Sequence, residues 1–508
     1  MAWSPAAAAT AFSMRRNTNV SKTFKAGFAE RDITPEFGME QPGGYGKSYL
    51  DRFHDPCKVR VAVFDDGKST VALVGVDAGS VGRRLIEAAR KEIESFCGIP
   101  GNAVMIGASH SHSSGPVNGI YPGDYDHASA FVQKLAYEHT TCADPRYVEI
   151  VKEQIVKGVE RAWRDRQPAA CSVGSGKEDK VAYNRRFRMK NGRTYTHPRQ
   201  GNPDIVEVAG PIDPEVGVVG AWDEQGELIG CIVNYACHAT TNPGGISANW
   251  IYYMEKVIRG MTGRDIPVVF LQGASGDVTQ VDNLSPYQRP SGKQEAIFVG
   301  GRVGAEAVRV LLKSYPGTLT PISATSKTFD VKRRIPSRER VKRSYDIVSK
   351  NPEEVGLTEW TFAKEIVLLD ALIEKHPIQQ VEVQAIQLGP AVFISNPAEL
   401  FCEFGLQLKE RSPFPFTYPV ELANGSVGYV PTEEALGPNG GGYETRLTRY
   451  SNLEVTAGQQ MVDVGIELAQ AMKPGSLPEP SRAEPFKREA GSIGSEPWEY
   501  GNVPPETE

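Results

Sequence analysis

Four apolar runs in this chain each break off at a polar group able to bind a metal or move a proton. AVMIGASHSHSSGP carries Val104 to Ile106 into His110 and His112, and CIVNYACHATTN leads into Cys237 and His238. VVFLQGASGDVTQ runs into Asp277 and Thr279, and AVFISNPAELF into Glu399. Short apolar runs bounded by turn residues read as buried strands. In sheet-based α/β proteins, sites gather where such strands end. The pattern predicts an α/β fold: a single large layered domain of mixed β-sheets and flanking helices, with its site at strand ends.

The rest of the chain fits that class. GFAERDITPEFG reads as a strand that stops at the Thr34-Pro35 turn. Val59 to Phe64 and Thr70 to Val76, joined by Asp65-Asp66-Gly67, form a hairpin pattern. Helical spacing covers Leu85 to Phe96, Tyr147 to Trp163, Ala296 to Leu312, Thr358 to Glu374 and Gln459 to Met472. Gly300 and Gly301 weaken the first turns of the third. Between Gly174 and Gly217 the pattern is polar and aperiodic, which predicts long loops. No repeat or boundary interrupts residues 25–473. Residues 1–24 read as a disordered tail, because Arg15 and Arg16 follow the Ala-rich stretch where a secretory signal puts charge first; an atypical export signal is the alternative. Residues 474–508 are rich in Pro, Glu, Ser and Gly and read as a solvated tail.

His110 and His112 stand one residue apart. On an extended backbone residues i and i+2 point the same way, so both imidazoles would face one cavity. Such a pair suits zinc, or one ligand beside one acid–base group. The plain alternative is that they are two of the chain's eight histidines, with no metal role. His238 has the same alternative as a hydrogen-bonded core residue. Glu399 follows Asn396-Pro397-Ala398, and Asn396, Pro397 and Glu399 read equally well as N-cap, N1 and N3 of a helix start.

Composition removes several classes of function. A formal net charge of −6 leaves no basic face for nucleic acid. The most basic stretch, Val331 to Arg343, contains Pro336 and Glu339 and reads as a solvated face. No window holds about 18 consecutive apolar residues, so a transmembrane segment is not expected. Seven scattered cysteines without a C-x-x-C spacing point to reduced thiols and exclude four-cysteine zinc. A soluble, cytoplasmic protein is the expectation. Nothing in the sequence specifies its oligomeric state.

Seven short motifs together resemble the catalytic domain of the neutral/alkaline (non-lysosomal) ceramidases. They are DITP at Asp32, SHSHSSGP at Ser109, NRR at Asn184, CHAT at Cys237, GDVT at Gly276, NPAELF at Asn396 and GYVPTEE at Gly428. The resemblance spans residues 25–473. It implies one zinc ion per chain held by His110, His238, Glu399 and Tyr429. It also implies that His112, Arg185 and Tyr443 stabilise an oxyanion or pass a proton. Neutral imidazoles and a carboxylate suit zinc, and donors beside it would stabilise a tetrahedral intermediate. Read without the resemblance, Tyr429 is a packing residue and Arg185 a surface salt bridge among Arg186 and Arg188.

The departures from the family bear on the substrate. Thr279 stands where the family has a serine, which keeps the hydroxyl but stiffens the side chain; it is a candidate for catalysis, substrate contact or structure. The GPNGGG loop before Tyr443 is longer than the family's, and Asn249-Trp250 replaces an acidic pattern. A Pro/Glu-rich stretch stands where the family has an immunoglobulin-like domain. The expectation is therefore a zinc-dependent amidohydrolase acting on a small or lipid-like N-acyl substrate. Hydrolysis of an ester, lactone or sugar conjugate is an alternative, and a non-catalytic binding protein on the same fold is another.

Overall fold

The computed structural model describes residues 20–480 and 482. Two units divide the chain, Met1–Pro478 and Glu479–Glu508, and the fold described is that of the first. Most of both expected tails lies outside the described residues. Inside them, Phe24 is already buried and its carbonyl accepts the Ala169 amide at 3.1 Å. At the other end the Gly475 amide donates to Gly389 O at 2.9 Å.

Three sheets carry the architecture. The first has the order Val104–Ala108, Thr70–Val76, Lys58–Asp65, Lys25–Asp32 and Gln167–Pro168. Its centre is the hairpin read from the sequence, turning at Gly67 with φ 83°, a conformation glycine adopts without strain. The second runs Val268–Gln272, Leu228–Tyr235, Glu215–Trp222, Ala170–Lys177. The third runs Ile322–Lys332, Ile378–Leu388, Ala391–Ser395, Phe416–Val420. All three face one core, in which Val61, Val74 and Ile106 meet Ile232, Leu271, Ile386 and Phe393. The four motif-bearing strands are each fully buried for most of their length, which is why they read as continuous apolar runs.

Helices cover the sheets. Arg83–Cys97 and Pro145–Arg164 bury their apolar stripes into the same core as the first sheet. Trp250–Thr262 and Lys293–Lys313 pack tightly together. Gly300 belongs to that contact: a Cβ there would lie 2.1 Å from Trp250 O. The glycine that weakens the helix pattern in sequence is what lets the two backbones approach.

Two expectations need correction. The segment 174–217 is not simply loop, since Ile205–Val208, Arg186–Met189 and Thr194–Thr196 form a small antiparallel sheet in that order. Its outer strand is mostly exposed, so no apolar alternation marks it. The basic stretch is not a free solvated face at its start. Val331 is core, Arg333 donates to His376 O at 2.9 Å, and Arg334 donates to Ser451 O at 3.0 Å. Among the described residues no helix is long and apolar enough to cross a membrane.

Candidate active site

The first histidine loop leaves the strand Val104–Ala108 at the parallel edge it shares with Thr70–Val76. His110 takes φ 61°, so the chain turns there and is not extended as expected. The imidazoles converge all the same, with His110 Nε2 and His112 Nε2 3.3 Å apart. Convergence comes from this left-handed turn, a conformation a non-glycine residue keeps only when its surroundings fix it. Those surroundings are the Ser109 amide on Val76 O at 2.8 Å and the Ser111 amide on Ala78 O at 3.0 Å. His110 Nδ1 sits 2.7 Å from Gly79 O, which makes Nδ1 the donor and turns Nε2 towards the cluster.

His238 arrives from the second sheet. Beyond Leu228–Tyr235 its amide donates to Val278 O at 3.1 Å, and its carbonyl accepts Trp250 Nε1 at 3.1 Å. Its ring stands edge-on to that of His110, with centroids 4.4 Å apart. The nitrogens offered by His110, His112 and His238 all lie within 4.8 Å of one another, the spacing of a group that could hold a metal ion. Both ring nitrogens of His238 are buried without a hydrogen-bond partner.

Glu399 follows the third sheet's strand Ala391–Ser395, and here the expected helix start is wrong. The Asn396 side chain accepts the Ala398 amide, closing a short turn. Glu399-Leu400 then pairs in parallel with Tyr429-Val430, and the helix begins only at Cys402. Pairing wins because Leu400 and Phe401 are buried there among other core side chains. Glu399 Oε2 lies 3.2 Å from His110 Nε2 and 3.6 Å from His238 Nε2, and makes no hydrogen bond. Burial opposes its charge, yet the two imidazoles hold it well below the usual carboxylate range. Burial pushes His112 down to about 3, helped by His110, so that imidazole is neutral.

The bridge also brings Tyr429 beside Glu399. Arg185 is buried, not a surface residue. Its Nε pairs with Glu444 at 2.8 Å, and Nη2 donates to Gly276 O at 2.7 Å and to the Tyr429 hydroxyl at 3.2 Å. The guanidinium lies over the rings of Tyr429 and Tyr443, 5.6 and 5.1 Å from their centroids. Burial raises the Tyr443 phenol above its ordinary value, which leaves it a neutral donor. Thr279 follows Val278, which holds the His238 amide, but its hydroxyl accepts the nearby Val281 amide at 3.3 Å.

Several neighbours escaped the sequence reading. Glu444 is wholly buried and fixes Arg185; its one signal is its place next to Tyr443. Glu421 ends the apolar run FTYPV, so it obeys the same grammar as the other site residues. It accepts the amides of Ser275 and Leu400 at 3.0 Å, and burial raises it to about 8. Gly43, at φ 90°, lies flat on His112, where a Cβ would fall 2.2 Å from Nδ1. No local pattern announces that contact.

Known proteins share this arrangement of elements. No family model matches the chain. The neutral ceramidase of Pseudomonas aeruginosa is 27% identical over 201 residues, 37% of this chain but only 26% of that enzyme's length. The crystal structure of neutral ceramidase from the same organism superposes with a TM-score of 0.66 at 19% identity, covering 90% of this chain and 77% of that one. A ceramidase complexed with C2 gives 0.65 at 18% identity, with 90% and 78% covered. The chain is similar to neutral ceramidase over part of its sequence and in its fold. The solved structures establish the shared fold, and the sequence match spans about a quarter of the curated relative.

Proposed function

We propose that this protein is a zinc-dependent amidohydrolase that cleaves an N-acyl amide of an amphiphilic substrate. The observation that carries the reading is the cluster itself. Three imidazole nitrogens and a carboxylate oxygen converge in a buried place, and the His238 nitrogens and Glu399 Oε2 lack hydrogen-bond partners. Orphaned buried groups of that kind are costly unless something binds them. The donor set is that of a zinc site, and His110 is oriented by a carbonyl as a second-shell partner would orient it.

His110, His238 and Glu399 would hold the ion, with Tyr429 from the paired strand beside them. A bound zinc would supply a Lewis acid for the scissile carbonyl and the attacking water. The chain's own groups do the rest. Neutral His112 accepts a proton from the water as the C–O bond forms. It then returns that proton to the amine as the C–N bond breaks, giving a carboxylic acid and a free amine. Arg185 and the neutral Tyr443 phenol lie where they can stabilise charge growing on the carbonyl oxygen.

An apolar tail on the substrate is supported by a cavity of about 370 Å³ lined in part by Tyr45, Leu357, Trp360 and Phe362. The Tyr45 ring is shared with the site, 6.3 Å from that of Tyr443. The named relative's substrate, ceramide, is an N-acyl lipid of this kind. The test is hydrolysis of N-acyl amides of increasing chain length and their ester analogues, by the wild type and the His110→Ala/His238→Ala variant. Release of free amine by the wild type alone supports the reading. Turnover confined to esters, or retained by the variant, overturns it.

A further inference from the structure

The two histidine loops belong to different sheets, so something must fix their mutual spacing. Part of that spacing is set by a parallel backbone bridge between Ser111 and Ala239, which includes the His112 amide on Ala239 O at 3.2 Å. Ser113 Oγ also donates to Asn242 Oδ1 at 3.3 Å, and beside these ties we infer that Asn249 is a positioning residue that locks the two loops together. Its Oδ1 accepts the Thr241 amide at 2.7 Å and the Thr241 hydroxyl, three residues after His238. Its Nδ2 donates to Ser113 Oγ at 3.3 Å, one residue after His112. Its own amide donates to Ser247 Oγ at 2.8 Å. Ser247 completes the clamp: its carbonyl accepts Ser111 Oγ at 2.7 Å and its amide donates to Ser113 O at 2.9 Å.

Three features separate this from ordinary helix capping. Asn249 precedes the helix Trp250–Thr262, but its side chain caps no amide of that helix. It is wholly buried. Its backbone, at φ 65° and ψ −145°, lies in a region that glycine alone occupies easily. A residue chosen for local stability here would be glycine, so the side chain is kept for what it joins. The inference rests on reading the imidazole cluster as the reactive centre.

That conflict makes Asn249→Gly the informative variant, because it relieves the backbone while cutting the tie. The experiment records the imidazole ¹H–¹⁵N resonances of metal-free wild type and variant, alongside their Tm and their affinity for Co²⁺. Expected is a Tm no lower than the wild type, with His110, His112 and His238 shifted or broadened and His127, His139 and His376 unmoved. Co²⁺ should bind at least tenfold more weakly. Asn249→Asp, which keeps the acceptor for Thr241, should shift the three resonances less. Unmoved imidazoles in Asn249→Gly would overturn the inference, as would unchanged Co²⁺ affinity. Should the wild type bind no Co²⁺, the metal reading fails, while the metal-free spectra still decide the role of Asn249.

Discussion

At the scale of single residues, the proposed reaction gives different duties to side chains that touch. His112 Nε2 is 3.3 Å from His110 Nε2, yet the two are oriented by different neighbours, Gly79 O for His110 and Gly43 for His112. His112→Ala should therefore keep its zinc while losing about 100-fold or more in kcat. Glu399→Gln should lose zinc and activity together. Metal analysis beside initial rates separates these outcomes, and loss of zinc from His112→Ala would make it a ligand. Asp55 gives a prediction of stability instead. Burial raises it to about 7, against the bonds it accepts from Ser247 Oγ and the Ala248 amide. Asp77 adds to the rise, Arg60 opposes it, and His54 Nε2 lies 3.8 Å away. A carboxyl raised in the folded state is held at no cost below about pH 4. Stability then falls as pH climbs through about 7. Asp55→Asn should raise stability at neutral pH by up to about 4 kcal/mol, the equivalent of some three pKa units. The gain should vanish near pH 4; urea melts across that range check it, and a pH-independent difference would contradict it.

At the scale of elements, the site depends on close backbone approaches as much as on its polar groups. The Glu399-Tyr429 bridge runs against Gly276, where a Cβ would fall 2.4 Å from Glu399 O. Gly276→Ala should cost about 1–3 kcal/mol and displace Glu399, so activity should fall further than the loss of folded protein explains. Activity per folded molecule, measured beside a denaturant melt, is the check. What the sequence reveals divides along the same line. The helix Arg83–Cys97 is legible within two residues because its apolar spacing is regular, and so is the hairpin, because Asp65-Asp66-Gly67 demands a turn. The Glu399 strand is not legible. Asn-Pro-Ala-Glu satisfies helix-capping chemistry, and only a partner some thirty residues away, Tyr429, tips it to pairing. The small sheet around Arg186–Met189 hides for another reason: its strands are only three or four residues long, too short to establish a period.

At the scale of the whole molecule, the four strand ends that announce themselves in the sequence do meet in one place. His110 follows a strand of the first sheet, His238 and Thr279 follow strands of the second, and Glu399 follows a strand of the third. Sequence grammar can identify such ends because burial leaves few polar residues to choose among. It cannot find the parts played by Glu444 and Asn249, which exist only once the sheets are assembled. An ion held by residues that follow strands of all three sheets would also tie them together. Chelating the metal should therefore lower Tm by a few degrees, restored on adding zinc; thermal melts at matched protein concentration would reveal an unchanged Tm if the site bears no load. The most direct measurement of the central claim is elemental analysis of the purified protein beside its His110→Ala/His238→Ala variant. About one equivalent of zinc in the wild type, absent from a variant that still folds, is the predicted result. A folded wild type that carries no metal and takes none up would contradict the account.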